Sequence, residues 1–158
     1  MYKRALVPLD GSMVAEGVIP FILHTAGPLG LDVKLLRVVT PSPPAGAVEA
    51  GPVVLDNTEK LCAEAEAYLV PFATELRANG VRVTTEVRRG EPVGEILAAV
   101  RDSKAELIIM TTHGRTGLGR FLFGSVAEAV LRHADVPVFV MRQTEAQIAS
   151  RGAWQPLR

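Results

Sequence analysis

The chain has 158 residues, in which 17 lysines and arginines balance 17 aspartates and glutamates, 48% of residues are hydrophobic and one is a cysteine. That length suits one domain able to bury about two-thirds of its unfolded surface without metals or disulfides, and the neutral balance argues against a nucleic-acid partner gathered on a basic surface. Cys62 alone excludes an intramolecular disulfide, a CxxC redox pair and a thiolate zinc cage, so a reducing, cytoplasmic setting is expected.

No export signal is expected, because only a short apolar run separates Tyr2-Lys3-Arg4 from Asp10. The longest uncharged stretch, Gly17 to Leu31, holds two prolines and falls short of the roughly 20 apolar residues of a membrane helix. A soluble globular chain without a membrane partner is expected.

Ala5-Leu6-Val7-Pro8-Leu9 is an apolar run ending at the turn cluster Asp10-Gly11-Ser12, which predicts a buried strand and a loop. From Ser12 the period becomes helical, with Val14, Val18, Phe21, Ile22 and Thr25 on one face. Pro20 is expected to bend that helix and Gly27-Pro28 to stop it. Val33 to Val39 reads as a second strand. Thr40 to Val54 holds four prolines and two glycines without any period, and predicts a long loop. A helix resumes at about Asp56, with Leu61, Ala65, Tyr68, Leu69, Phe72 and Leu76 on one face, and Asn79-Gly80 ends it as a left-handed cap.

Val81 to Val87 alternates as a third strand. Gly90-Glu91-Pro92 opens a helix with proline near its first turn, and Ile96, Leu97 and Val100 face inward. Leu107-Ile108-Ile109-Met110 predicts a strand buried on both faces. Thr111 to Phe123, with three glycines, reads as a loop; Ser125 begins a fourth helix, and Val136 to Met141 makes a fifth strand. Such alternation builds a parallel sheet covered by helices on both faces. Ligands of that architecture bind beyond the carboxyl ends of the strands, where strand order reverses. The loops after strands one and four are therefore the ones that matter.

The loop after strand four runs Thr112-His113-Gly114-Arg115-Thr116-Gly117-Leu118-Gly119-Arg120 and reaches Gly124-Ser125 at a helix start. Glycines let backbone approach an anion, and the free N–H groups and dipole of a helix N-terminus favour phosphate. Arg115 and Arg120 add charge. Ser125 with Glu128 also forms S-x-x-E, a capping box that needs no ligand. His113 is expected to pack or hydrogen-bond locally. Asp10 is placed to cap the first helix, to accept from ribose hydroxyls, or to hold a cation beside phosphates. The P-loop pattern, the third glycine of the dinucleotide fingerprint and the G-x-S-x-G elbow are missing, and His24, His113 and His133 lack metal-ligand spacing.

Taken together, Leu6-Val7-Pro8-Leu9-Asp10-Gly11-Ser12, the stretch from Thr112-His113-Gly114-Arg115 to Gly124-Ser125-Val126-Ala127-Glu128, and Val136 to Arg142 resemble the universal stress protein family. The likeness spans a domain of residues 1–143, with 144–158 as a C-terminal tail that includes Trp154. ATP-binding members carry G-x-x-G, nine residues, then G-[ST]. Gly114, Arg115 to Phe123 and Gly124-Ser125 match that spacing, while Thr111 stands where the first glycine would be. Its Cβ and hydroxyl are expected to narrow the approach to ribose or phosphate.

The resemblance implies a three-layer α/β/α fold, Rossmann-like and of the adenine nucleotide alpha hydrolase-like type, with a five-stranded parallel sheet in the order 3-2-1-4-5. It implies a site for ATP or another adenine nucleotide, with Mg²⁺, formed by Pro8, Leu9, Asp10, Ser12, Val38, Met110, Thr111, Gly114, Arg115, Gly117, Gly124, Ser125 and Val126. Asp10 would reach Mg²⁺ through the nucleotide. It further implies a homodimer paired through Val136 to Met141, and a stress-response sensor or adaptor with an unidentified protein partner. Two alternatives stand beside that expectation. One is an interaction module of the same fold that binds no nucleotide. The other is a slow ATPase or autokinase with Ser125 or Thr116 as acceptor.

Overall fold

The computed structural model describes residues 2–41, 51–114 and 124–144. Five strands, β1 (Arg4–Pro8), β2 (Asp32–Val39), β3 (Val83–Arg89), β4 (Leu107–Gly114) and β5 (Val138–Thr144), form one parallel sheet in the order β3-β2-β1-β4-β5. The helices are α1 (Met13–Glu16), α2 (Ile19–Leu29), α3 (Gly51–Ala78), α4 (Pro92–Ser103) and α5 (Ser125–His133). The expected three-layer architecture and strand order are both present.

Alternation along the central strands divides the core in two. Ala5 and Val7 of β1, Leu9 just beyond it, Val33 and Leu35 of β2 and Ile109 of β4 pack against α2 and α3 through Ile19, Ile22, Leu69, Phe72 and Leu76. Leu6, Leu36, Ile108 and Met110 point to the opposite face, against Ile96, Ala99 and Val100 of α4 and Ala127 and Val130 of α5. Central parallel strands are buried on both sides, which is why they read as continuous apolar runs. Burying one such Leu or Ile contributes about 1.5–3 kcal/mol.

The first helical segment differs from its expected form. Ser12 caps α1, its hydroxyl accepting from the Ala15 amide at 3.1 Å, but α1 ends at Glu16 and Gly17 serves as its C-cap. Proline cannot donate a backbone hydrogen bond and its ring crowds the carbonyl four residues earlier. Pro20 therefore does not bend one long helix but sits in the first turn of a second one, α2. Nor does Gly27-Pro28 stop the helix: Pro28 lies inside α2, which ends at Leu29 with Gly30 as its C-cap at φ 63°.

The described part of the expected loop at Thr40 to Val54 is already helical from Gly51, with Pro52 tolerated in the first turn of α3. At the far end, Asn79-Gly80 closes α3 as expected: Gly80 has φ 79° and the Val81 amide reaches back to the Leu76 carbonyl at 3.0 Å. The sequence places a loop from Thr111, yet β4 continues to Gly114, pairing Thr111 to Gly114 with Met141 to Thr144 of β5. β5 starts past Pro137, which has no amide hydrogen to give the ladder.

Candidate functional site

At the carboxyl ends of β1, β2 and β4, where the strand order reverses, the chain encloses a cleft of ≈ 290 Å³. Sheet topology puts it there: β2 lies on one side of β1 and β4 on the other, so their exit loops diverge and leave a crevice. Ten of the residues singled out from the sequence line it: Pro8, Leu9, Asp10, Ser12, Val38, Met110, Thr111, Gly124, Ser125 and Val126. Gly114 ends β4 two residues beyond Thr112. Arg115 and Gly117 lie outside the described residues, as do Thr116, Arg120, the segment 42–50 and the tail with Trp154.

One wall is apolar. Val38, Ile96, Met110 and Val126 belong to the core layer beneath α4 and α5 and present their outer edges to the cleft. The opposite rim is the turn after β1. There Asp10 Oδ1 accepts from the Ser12 amide at 2.8 Å and from the Ser12 hydroxyl at 2.6 Å. Asp10 therefore does not cap α1 itself; Ser12 does, and in the same geometry fixes the Asp10 carboxylate.

The third side is the start of α5. Gly124 is the N-cap, with φ −66° and ψ 157°, and the helix has no side-chain cap. This corrects the capping-box reading of Ser125: Ser125 is the first helical residue and is exposed, while Glu128 pairs with Arg132 at 2.8 Å. A helix start without a side-chain cap leaves its first amides to water or an anion. The hydroxyl of Thr112, buried in β4, accepts from the Gly124 amide at 3.4 Å and holds this terminus beside the strand end.

Thr111 lines the cleft, and its hydroxyl donates to the Val14 carbonyl of α1 at 2.6 Å. Alternation explains the direction. Ile109 packs on the α2–α3 face and Met110 on the α4–α5 face, so Thr111 follows the former and Thr112 the latter.

Several lining residues escape a motif-based reading, among them Arg37, Pro92 and Ile96. Arg37 on β2 lies 5.8 Å from the ring centre of Tyr68 and donates to the Leu9 carbonyl at 3.5 Å, behind the Asp10–Gly11 turn. Tyr68 in turn donates to Glu16 at 3.2 Å. Burial pushes the Tyr68 hydroxyl well above its ordinary range, and the neighbouring Glu16 adds to it. Burial likewise raises the Glu16 carboxyl, against the opposing hydrogen bond from Tyr68. A Thr-Gly-rich stretch or an S-x-x-E pattern is visible in sequence; an arginine packed over a tyrosine 31 positions away is not. Among the described residues no group of three or more His, Cys, Asp or Glu side chains could hold a metal ion by itself, and no helix is long and apolar enough to cross a membrane.

A crevice at the switch point of a 3-2-1-4-5 parallel sheet, with a carboxylate on one rim and an open helix N-terminus on another, places the chain in the class of doubly wound α/β proteins. Residues 1–142 match the universal stress protein family. Universal stress protein MJ0531 of Methanocaldococcus jannaschii is 34% identical over 93% of this chain and 86% of its own length. The solved structure of MJ0577, also from Methanocaldococcus jannaschii, superposes with a TM-score of 0.76 at 31% identity, covering 90% of this chain and 97% of that one. A universal stress protein family structure from Arabidopsis thaliana with AMP bound shares the fold, with a TM-score of 0.61 at 15% identity over 92% of this chain and 94% of that one. The chain belongs to the universal stress protein family.

Proposed function

We propose that the cleft binds an adenine nucleotide and that the protein works as a nucleotide-dependent sensor or adaptor in the cytoplasm. The observation that carries this reading is the meeting of three unlike surfaces in one crevice. The apolar wall of Val38, Ile96, Met110 and Val126 suits a purine face. Asp10, held by Ser12, suits ribose hydroxyls. The uncapped start of α5 at Gly124 and Ser125 suits phosphate. That one structure of the same fold holds AMP makes adenine nucleotides the first ligands to try.

Mg²⁺ arriving with the nucleotide fits the same residues. The ion is ordinarily held by one or two carboxylates plus phosphate oxygens and water. Asp10 supplies one carboxylate, and among the described residues Ser12 occupies only its Oδ1. Bound there, the ion would neutralise phosphate charge. Binding is favoured over turnover because Asp10 is the one carboxylate among the described lining residues, none of which is a histidine or lysine that could serve as a separate base.

The reading includes a homodimer through β5. That strand has β4 as its one neighbour in the sheet, and Phe139 on it is 41% exposed although stacked on Phe21. An apolar edge that no described residue pairs with invites pairing with a second copy. Mass spectrometry of what the purified protein releases on acid denaturation tests the ligand: near-stoichiometric ATP, ADP or AMP supports the reading. An empty release followed by no calorimetric response to ATP, ADP or AMP with Mg²⁺ would leave a nucleotide-free interaction module. Sedimentation equilibrium at micromolar concentration tests the pairing, a mass of one chain being the contrary result.

A further inference from the structure

We propose that Thr111 is a positioning residue: by anchoring α1 to β4 it holds the Asp10 carboxylate at the rim of the cleft. This deepens the nucleotide reading and rests on it. The chain of contacts is continuous. The Thr111 hydroxyl donates to the Val14 carbonyl at 2.6 Å, a link between positions 97 apart. Val14 lies in α1, a helix of only 4 residues. One turn of helix has little stability of its own, since nucleation costs more than a single turn returns. Its placement therefore depends on outside contacts, and Thr111 provides one at Val14, the second of its residues. At its N-cap Ser12 accepts from the Ala15 amide at 3.1 Å and donates to Asp10 at 2.6 Å. Asp10 is thus tied through Ser12 and α1 to the end of β4, the strand that leads to the α5 side of the cleft.

The side of the strand matters as much as the bond. Thr111 shares the face of Ile109, towards α1 and α2, while the Thr112 hydroxyl on the opposite face meets the Gly124 amide at 3.4 Å. The two threonines reach in opposite directions, one fixing the Asp10 rim and the other the α5 rim. A glycine at 111 would remove the first of these anchors. The expectation is consequently the reverse of what the family motif suggests: restoring glycine weakens nucleotide binding in this chain.

Thr111→Val keeps the shape and removes the hydroxyl, Thr111→Ser keeps the hydroxyl, and Thr111→Gly removes both. Calorimetric titration with ATP and Mg²⁺ should show Thr111→Val and Thr111→Gly weakened about three- to tenfold, the scale of one intramolecular hydrogen bond, with Thr111→Ser close to wild type. If Thr111 acts through Asp10, the loss from Thr111→Val should largely vanish in an Asp10→Ala background. Tighter binding by Thr111→Gly, unchanged binding by Thr111→Val, or a full further loss in the Asp10→Ala background would overturn the proposal. Amide hydrogen exchange at Ala15, Glu16 and Gly17, read without ligand, should quicken in Thr111→Val but not in Thr111→Ser. Unchanged exchange in Thr111→Val would overturn the anchor, whereas quickened exchange in a protein that binds no nucleotide would uphold the anchor and refute the nucleotide reading alone.

Discussion

Replacing Gly90 by alanine should damage both the fold and the cleft. Gly90 joins β3 to α4 with φ +149°, a conformation that L side chains rarely adopt. Its amide donates to the Val39 carbonyl at 3.0 Å and its own carbonyl accepts from the Thr40 hydroxyl at 3.1 Å, so the turn cannot simply relax. A Cβ there would stand 2.9 Å from Cγ and Oε1 of Glu95 and 3.2 Å from its Cδ. Backbone strain at such a position costs about 1–3 kcal/mol. Turning Glu95 aside would sacrifice its long contact with Arg88 at 3.8 Å, a part-exposed pair contributing about 0–1 kcal/mol. A loss of about 2 kcal/mol follows, which for a chain of this length lowers the melting midpoint by about 4–8 °C. Urea unfolding followed by far-UV dichroism should show a lower midpoint with unchanged slope. The double variant Gly90→Ala with Glu95→Ala should recover the smaller, steric part only. Because α4 carries Pro92 and Ile96 into the cleft, nucleotide affinity should fall as well. A Gly90→Ala protein within about 0.5 kcal/mol of wild type, the range of an ordinary surface substitution, would refute the strain argument.

Ser12→Ala removes the N-cap of α1 and the donor that holds Asp10, so it should cost about 1 kcal/mol of stability and also weaken nucleotide binding in calorimetry, whereas an ordinary cap would affect only the former. Glu86 bridges Lys34 and Arg88 on the face of β3 towards α4; burial pushes its carboxyl up, but the hydrogen bonds and charges of those two cations outweigh that and hold it below the usual value of 4.5. Its contribution is therefore complete above the ordinary carboxylate range and lost as pH falls through the lowered folded value. Urea midpoints measured from pH 7 down to pH 3 should fall less steeply below about pH 4.5 for Glu86→Gln than for wild type, and parallel curves would contradict this.

Much of the fold is legible because its central strands are buried on both faces. Runs such as Ala5 to Leu9 and Leu107 to Met110 admit little else, and Asn79-Gly80 marks a helix end through the backbone freedom of glycine. The boundaries that differ were decided by distant partners. Thr111 to Gly114 reads as a loop from its own composition, yet extends β4 because Met141 to Thr144 lie alongside. Pro20 is compatible with a bend or with a first turn, and only the short α1, capped by Ser12 and anchored by Thr111, selects the second. In the site, the Asp10 turn and the Gly124-Ser125 helix start are local patterns and can be read as such. The apolar wall contributed by α4 and the placement of Arg37 over Tyr68 arise from packing between elements remote in sequence.

The most direct test of nucleotide binding in this cleft is calorimetric titration of ATP with Mg²⁺ into the wild-type protein and into Val38→Trp. Val38 lies in the apolar wall, and an indole there would fill the space assigned to the base. Saturable binding of one nucleotide per chain by wild type, lost in a Val38→Trp protein with unchanged far-UV dichroism, is the expected result. No binding by wild type, or equal binding by both, would contradict the assignment.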